Sequence, residues 1–254
     1  MHSTIIAALA LSLAASSLAL PHTSYAPAPS PPFRLTDVLR SRQVSPPCDV
    51  SDALNNLTVP FALTTPPLPA PDASLSLASV IIGRGVQNYT CPTNSTSVPT
   101  AVGAIATLYE ASCIASSNPS VFASLTTTAL GLPLPADPLA AFDCGADQPL
   151  SRAGHHFFNA AKTPVFDFAE ADASLGVGLM SVGAKSDAPT DKAVDVPWLM
   201  LGSVEGGSGP IRQIYRVETR GGQPPASCEG AEGAEGGVVS VQYSAEYWIF
   251  SSDE

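Results

Sequence analysis

Residues 238–250 read Val-Val-Ser-Val-Gln-Tyr-Ser-Ala-Glu-Tyr-Trp-Ile-Phe, and this stretch decides the fold class. Apolar or aromatic side chains occupy every second position from Val239 to Ile249, and the positions between them are polar as far as Glu246. Such alternation predicts a β-strand with one face on a core. Trp248 and Phe250 interrupt the polar face, so we expect either that both faces are covered at this end or that an aromatic patch is exposed.

Shorter runs of the same kind precede this strand and are separated by Gly, Pro, Asn and Ser. They predict strands at 75–82, 85–91, 101–109, 154–160, 164–168, 196–201 and 211–219. One helix is expected at 118–130, because Asn118 can cap it, Pro119 suits its first turn and Gly131 suits its exit. The predicted fold is mainly β: an antiparallel β-sandwich or flattened barrel with one or two short helices.

The chain before this region has a different composition. Residues 5–18 form an apolar run too short to span a bilayer, and Ser17-Leu18-Ala19 places small residues where signal peptidase cleaves, so residues 1–19 are predicted to be a secretory signal. Residues 20–74 are predicted to form a Pro-rich N-terminal tail and an extended crossing. The β-rich domain then comprises residues 75–254. We expect a secreted, extracellular protein.

Glycosylation acceptors and cysteines agree with export. Three Asn-X-Thr acceptors begin at Asn56, Asn88 and Asn94, and they are meaningful only in a secretory lumen. An oxidising compartment favours disulfides among the five cysteines, which are Cys48, Cys91, Cys113, Cys144 and Cys228.

The odd number of cysteines leaves one thiol over. Across a predicted hairpin, Cys113 lies far beyond the residue that would face Cys91, whereas a disulfide spans only about 5.5 Å between Cα atoms. We therefore predict a bond between Cys91 and Cys228 and leave the rest of the connectivity open.

Charge excludes some partner classes. The chain has 22 acidic and 11 basic residues, for a net charge of −11. Because Lys and Arg are needed to displace counterions from phosphate backbones and anionic lipid, we expect neither a nucleic-acid nor a membrane partner. The simplest role of the acidity is solubility. The oligomeric state is left open.

Two short motifs suggest cofactor or metal chemistry, and neither has the context that it needs. Gly83-Arg84-Gly85 opens a dinucleotide fingerprint, but Asn88 stands where the third glycine belongs, and the following residues predict strand rather than helix. His155 and His156 are neighbours on a predicted strand, so their side chains point to opposite faces and cannot share one metal. We expect no cofactor and no metal site.

Six polar and aromatic residues on or beside predicted strands suit the hydroxyl groups and ring faces of a sugar: Gln87, His155, Trp198, Arg216, Glu246 and Trp248. Alternatively, the polar groups bridge strands and the aromatic rings fill the core. The first interpretation requires several of the six to meet in a concave site that solvent can reach.

The leading functional hypothesis is a noncatalytic extracellular or cell-wall module that binds carbohydrate or another small polar ligand. The second is a secreted hydrolase that uses His155 or His156 with a carboxylate. The sequence leaves the question of catalysis open and leans against it, because no spacing of candidate residues favours a catalytic set.

Several segments together resemble a known family. In order along the chain they are 83–91, 154–158, 196–199, 215–222 and 243–248. They resemble the fungal branch of a secreted family that is defined by a domain of unknown function, and the resemblance covers about residues 48–250. It implies a secreted β-rich domain. Some members carry a malate dehydrogenase label, which adds a nicotinamide-dependent oxidoreductase as a third hypothesis, ranked below the other two.

Overall fold

The computed structural model describes residues 54–91, 96–135, 140–143, 149–229 and 237–252. Eight strands make up the fold: β1 (Leu75–Thr90), β2 (Thr100–Glu110), β3 (Arg152–Phe158), β4 (Pro164–Asp167), β5 (Val177–Ser186), β6 (Trp198–Ser203), β7 (Ile211–Gly221) and β8 (Val238–Ser252). Each strand pairs antiparallel with the next, and β8 pairs with β1, so the sheet closes into a barrel. The predicted mainly β, antiparallel fold is confirmed, and the barrel is the alternative that the structure selects.

Both faces of the sheet are covered over much of the barrel. Inward-facing side chains form one core, which includes Ile81, Tyr247 and Ile249. A second core lies on the outer surface, where Trp248 and Phe250 pack beneath the helices and the segment that precedes β1. The alternation in β8 therefore separates two buried faces, and the aromatic residues near its end are covered rather than exposed.

The cover over the outer surface comes mainly from the connection between β2 and β3. It contains three short helices, α1 (Ser112–Ser117), α2 (Pro119–Phe122) and α3 (Leu125–Gly131), rather than the single helix predicted at 118–130. Asn118 caps α2 as expected, with its side-chain oxygen accepting from the Val121 amide. The Ser124 hydroxyl donates to the Val121 carbonyl, and such local side-chain bonds compete with helix continuation.

The strand predictions differ from the structure in two places. Strand β1 is one continuous strand instead of two, because β2 and β8 flank it on both sides through the glycines at 83 and 85. Strand β5 was not predicted, since Gly178 and Gly183 interrupt its apolar pattern. In both cases pairing with neighbouring strands outweighs local propensity.

Residues 54–74 pack on the outside of the barrel. Leu54, Val59 and Leu68 are buried in the outer core. The Tyr215 hydroxyl donates to the Pro69 carbonyl over 2.7 Å. Strand β1 begins at Leu75, where the sequence places the start of the β-rich domain. Among the described residues, no helix is long and apolar enough to cross a membrane.

The predicted disulfide is confirmed. Cys91 follows β1, and its sulfur is bonded to Cys228 in the connection between β7 and β8, with the Cα atoms 5.6 Å apart. Cys113 in α1 is also disulfide-bonded. Cys48 and Cys144 lie outside the described residues, as do Asn94 and the predicted signal.

Candidate ligand-binding site

Strand pairing gathers a set of polar side chains inside the barrel. On β1, residues of odd number from Ile81 onward face inward, which places Gln87 in the interior. Strand β8 sets its Tyr243 opposite Gly85 and its Tyr247 opposite Ile81. We call the following residues the lumen cluster: Gln87, His156, Arg216, Tyr243 and Tyr247.

Small residues on neighbouring strands make space for the tyrosines. A Cβ atom at position 83 would overlap the ring of Tyr247, so the ring lies directly against the backbone of Gly83. Two further interior positions, Ala106 and Ala245, also carry small side chains. An eight-stranded barrel has an interior that side chains can fill or that can hold one small ligand. Here large polar side chains occupy it opposite small ones.

The two tyrosine hydroxyls form a pair. Their oxygen atoms lie 2.9 Å apart, and Tyr243 and Tyr247 are both fully buried. Burial raises the pKa of each hydroxyl, and the nearby positive charge of Arg216 opposes the rise. Both groups are therefore protonated at neutral pH. One of their two hydrogens makes the mutual bond, so the pair retains one O–H that can donate to another acceptor.

Arg216 brings a positive charge into the lumen. Its Nη2 donates to the Pro197 carbonyl over 2.8 Å, while its Nε is buried without a hydrogen-bond partner. Three salt bridges occur among the described residues, and Arg216 takes part in none of them. Its charge interacts instead with the tyrosine hydroxyls and His156. The guanidinium is thus a cation without a neighbouring counter-ion in the described part of the chain.

Gln87 adds a second unused donor. Its side chain is only 8% exposed, and its amide nitrogen has no hydrogen-bond partner. Gly222 lies over it, because a Cβ at position 222 would come within 3.1 Å of the Gln87 Cγ and within 2.8 Å of the Tyr243 Cβ. A buried donor without an acceptor lowers the free energy of unfolding by about 1–3 kcal/mol. The unpaired nitrogen of this amide therefore does not stabilise the fold.

His156 supplies the complementary function, an acceptor. Its Nδ1 lies 2.9 Å from the Val165 carbonyl, which can only accept, so Nδ1 carries the hydrogen. Burial lowers the pKa of His156 to about 4. The bond to the Val165 carbonyl acts to raise this pKa, and the nearby charge of Arg216 acts to lower it further. The imidazole is therefore neutral at neutral pH. It stacks on Phe166 at a centroid distance of 4.1 Å, and its Nε2 is left as an acceptor.

Interior residues are fully buried at one end of the lumen, whereas at the other end three are half-buried and Val196 remains buried. Near the end where β7 begins, the interior residues Phe168, Ile211 and Ile249 are at most 2% exposed. We call the opposite end, where β3 ends and β6 begins, the open end. There the interior-facing Phe158 and Leu199 are only half-buried, as is Arg216. Ligand sites are common in the mouths of β-barrels.

Only two of the six sequence-predicted candidates belong to this lumen. Gln87 and Arg216 face inward, whereas the other four lie on the outer surface of the sheet. His155 is half-buried on that surface, where its Nε2 lies 3.1 Å from Nη1 of Arg152. Trp198 is fully buried in the outer core. The six candidates therefore do not form one site.

Glu246 and Trp248 form a separate buried pair beneath the helices. The Trp248 Nε1 donates to Glu246 Oε2 over 2.9 Å, and Glu246 is 3% exposed. Burial raises the pKa of Glu246 to about 8, the bond from Trp248 opposes this rise, and the charge of Glu218 adds to it. This carboxyl is protonated at neutral pH and packs within the cover.

The interior tyrosines and His156 are the cluster members that sequence reasoning did not select as ligand-binding candidates. Alternation already placed Tyr243 and Tyr247 on the apolar face of β8, where they were interpreted as core. The prediction that the two histidine side chains point to opposite faces of their strand agrees with the structure. Among the described residues, neither histidine is hydrogen-bonded to a carboxylate.

The remaining motifs have structural roles. Gly83-Arg84-Gly85 lies in the middle of β1, which continues as a strand to Thr90 instead of leading into a helix. Among the described residues, no group of three or more His, Cys, Asp or Glu side chains is arranged to hold a metal ion.

Comparison with known proteins assigns the family. Residues 71–251 match the family described as protein of unknown function (DUF3455). The chain belongs to the DUF3455 family. A search of curated proteins and a search of solved structures found no match. The matched DUF3455 region contains the whole lumen cluster together with β1 to β7 and nearly all of β8, so the candidate site is built entirely from the family's domain.

Proposed function

We propose that this DUF3455 protein is a secreted, noncatalytic module whose barrel lumen binds a carbohydrate or another small polar ligand. One observation carries the proposal: two buried donors in the lumen, Gln87 Nε2 and Arg216 Nε, have no acceptor. Buried polar groups in native proteins are nearly always paired, and exceptions point to a bound molecule or another functional reason. Both atoms are fully buried, so a polar ligand that supplies the missing acceptors must displace the side chains around them.

Secretion is supported by independent features of the chain. They are the apolar run at 5–18 with small residues after it, the three glycosylation acceptors and the Cys91–Cys228 bond. Disulfides persist mainly in oxidising compartments. Of the acceptors, Asn56 is exposed and is the better glycan site, whereas Asn88 is half-buried in β1 and accepts from the Ser240 hydroxyl.

Binding is tested by NMR on the side-chain resonances of the lumen. The ligand panel consists of neutral hexoses, hexitols and hexuronic acids. We expect at least one member to shift the Gln87 amide and Arg216 Nε–H resonances saturably. Gln242 is a matched internal control, because its amide donates to the Leu130 and Leu132 carbonyls on the outer face of the same sheet. Shifts at Gln242 alone, or no saturable shift with any compound, would refute the proposal.

Export is tested by expressing the full-length chain in a secreting eukaryotic host. We expect protein in the medium with a new N-terminus near residue 20 and with a mass that falls after enzymatic removal of N-glycans. Protein that stays in the cytosol with its N-terminal residues intact would contradict the secreted assignment without touching the binding proposal.

A further inference from the structure

A cleft with a volume of about 150 Å³ lies on the outer face of the barrel, where β1 and β2 meet the segment that follows α3. Two cross-strand pairs contribute to it, Arg84 with Thr107 and Val86 with Ile105. Solvent reaches the cleft, because Ile105 is 60% exposed and Leu134 is 39% exposed. We call the following residues the outer cleft: Arg84, Val86, Ile105, Thr107, Leu134 and Pro135.

One end of the outer cleft is apolar. Val86 and Ile105 are directly paired across the two strands, and Leu134 and Pro135 add two further apolar side chains. A cavity of this volume accommodates a benzene ring when its walls are apolar. Ligand sites commonly combine such walls with a small number of polar groups that set the orientation of the ligand. The apolar end therefore fits a single ring.

The other end contains the guanidinium of Arg84, which is only 6% exposed. Its Nη2 donates to the Leu132 and Pro133 carbonyls, and its Cζ lies 4.6 Å from the centre of the Phe142 ring. Its Nε is fully buried without a partner. Its Nη1 forms no hydrogen bond either, but this nitrogen is not sealed from solvent. Nη1 is therefore the donor that Arg84 offers to a ligand.

No carboxylate neutralises Arg84 in the described part of the chain, since none of the three salt bridges found there includes this residue. Burial lowers the pKa of Arg84, and the nearby Tyr109 opposes this effect. A guanidinium nevertheless stays charged in proteins, and charges interact more strongly in partly buried surroundings than in water. This end of the outer cleft therefore favours an anion that accepts a hydrogen bond.

The two ends are about 7 Å apart, because Arg84 and Val86 are two residues apart on one strand. We propose that the outer cleft binds an aromatic carboxylic acid with a single ring, whose carboxylate accepts from Arg84 Nη1 and whose ring lies between Ile105 and Leu134. A spacer of about two carbons between ring and carboxylate matches the separation, so 3-phenylpropanoate is the representative compound. This site is separate from the lumen and does not depend on the proposed function.

The test compares three compounds at pH 7. 3-Phenylpropanoate has both features, 3-phenylpropan-1-ol lacks the charge, and propanoate lacks the ring. NMR titration of the Ile105 and Leu134 methyl resonances gives the affinities. We expect 3-phenylpropanoate to bind at least about tenfold more tightly than either of the other compounds, because only it makes both a charge-assisted hydrogen bond and an apolar ring contact.

Ile105→Glu tests the ring contact. The substitution places a negative charge where the ring lies, at a position exposed enough for the barrel to fold. We expect the affinity for 3-phenylpropanoate to fall at least about tenfold. Val182→Glu is the matched control, because Val182 is an apolar residue of β5 that is 55% exposed and lies outside the outer cleft. It should bind as the wild type does.

Substitutions at Arg84 test the carboxylate contact. Arg84→Lys keeps the charge and should retain part of the preference for 3-phenylpropanoate over the alcohol. Arg84→Met should abolish that preference while leaving the affinity for the alcohol within about twofold. Amide spectra show whether each variant is folded. If Arg84→Met does not fold, the comparison of acid with alcohol on the wild type and on Arg84→Lys still tests the contact.

Several results would overturn the inference. Equal affinity for the acid and the alcohol would show that Arg84 does not bind the carboxylate, and equal affinity for the acid and propanoate would show that the ring makes no contact. The inference also fails if Ile105→Glu and Val182→Glu bind alike, or if no compound shifts the methyl resonances of the outer cleft. Saturable shifts at Gln87 and Arg216 instead would place the acid in the lumen, which overturns the inference and supports the proposed function.

Discussion

The inner and outer faces of β1 and β8 use polar side chains in different ways. On the outer face, Arg84 donates to the Leu132 and Pro133 carbonyls, and Ser244 is bonded to the Thr126 carbonyl. These bonds attach the helical cover to the barrel. On the inner face, the amide nitrogen of Gln87 is bonded to nothing. Buried donors without a partner occur on both faces, since Arg84 Nε and Trp198 Nε1 are unpaired on the outside. The faces differ in that the outward polar groups attach the helical cover to the barrel.

The largest effect should come from Trp248, which belongs to the outer face. We expect Trp248→Ala to lower the free energy of unfolding by about 3–5 kcal/mol, because it removes a buried ring that packs edge-on against Phe122 and leaves Glu246 without its donor. Chemical denaturation measures the loss. Trp248→Phe should restore part of it. Ligand affinity of the folded fraction should stay unchanged, and a marked fall in affinity would contradict the separation of the two faces.

Glu246 should make stability depend on pH. Its pKa in the folded state is about 8, above the ordinary value of 4.5, so folding favours the protonated form. The contribution of this carboxyl to the free energy of unfolding is therefore fully present below pH 4.5 and is lost as pH rises through 8. Relative to low pH, the loss at pH 7 is on the order of 3 kcal/mol. Glu246→Gln should keep the bond from Trp248 and remove this decline.

Denaturation curves at pH 5, 6, 7 and 8 test this prediction. Glu205→Gln, at an exposed position, controls for the lost negative charge. Parallel pH profiles for the wild type and Glu246→Gln would show that the carboxyl is already ionised in the folded protein.

Buried Arg84 on the outer face and half-buried Arg216 on the inner face give the sharpest contrast between the faces. Arg84→Met should cost about 1–3 kcal/mol of unfolding free energy, because the Pro133 carbonyl loses its donor, the Leu132 carbonyl keeps only the bond from Gln242, and the guanidinium no longer stacks on Phe142. Arg216→Met should change stability by less and should weaken ligand binding instead. Equal losses of stability in both variants would indicate that Arg216 is also a structural residue.

The smallest effect on stability should come from Gln87. We expect Gln87→Met to leave the free energy of unfolding unchanged or to raise it by up to about 1 kcal/mol, since it removes an amide whose buried nitrogen has no partner, at similar side-chain volume. Affinity for the lumen ligand should fall. Gln242→Met is the matched control on the outer face, and it should lower stability without changing affinity.

Much of the fold could be predicted from local patterns. Seven of the eight strands, the Asn118 cap and the Cys91–Cys228 bond follow from alternation, turn residues and strand reach. Strand β5 could not be found in this way, because glycines remove the side chains that carry the periodic signal. The glycines are tolerated since β4 and β6 supply the hydrogen bonds on either side.

The site was harder to predict because it depends on which residues meet. Gln87 and Arg216 were selected for their chemistry, and both lie in the lumen. Trp198 and Glu246 were selected for the same reason, and they lie on the other side of the sheet. In each strand the sequence shows which residues share a face, but it does not show how the faces of different strands combine.

The amino-acid sequence by itself determined the strand-rich fold class, the alternation of faces within β8 and the pairing of one disulfide, because these depend on residues close in sequence or on simple reach. Only the tertiary structure decided that the sheet closes, that the polar face of β8 is covered by helices and that Arg216 meets two tyrosines and a neutral histidine. The reason is physical: register between strands and closure of the barrel arise from contacts between residues far apart in the chain, and those contacts decide which face becomes a lumen.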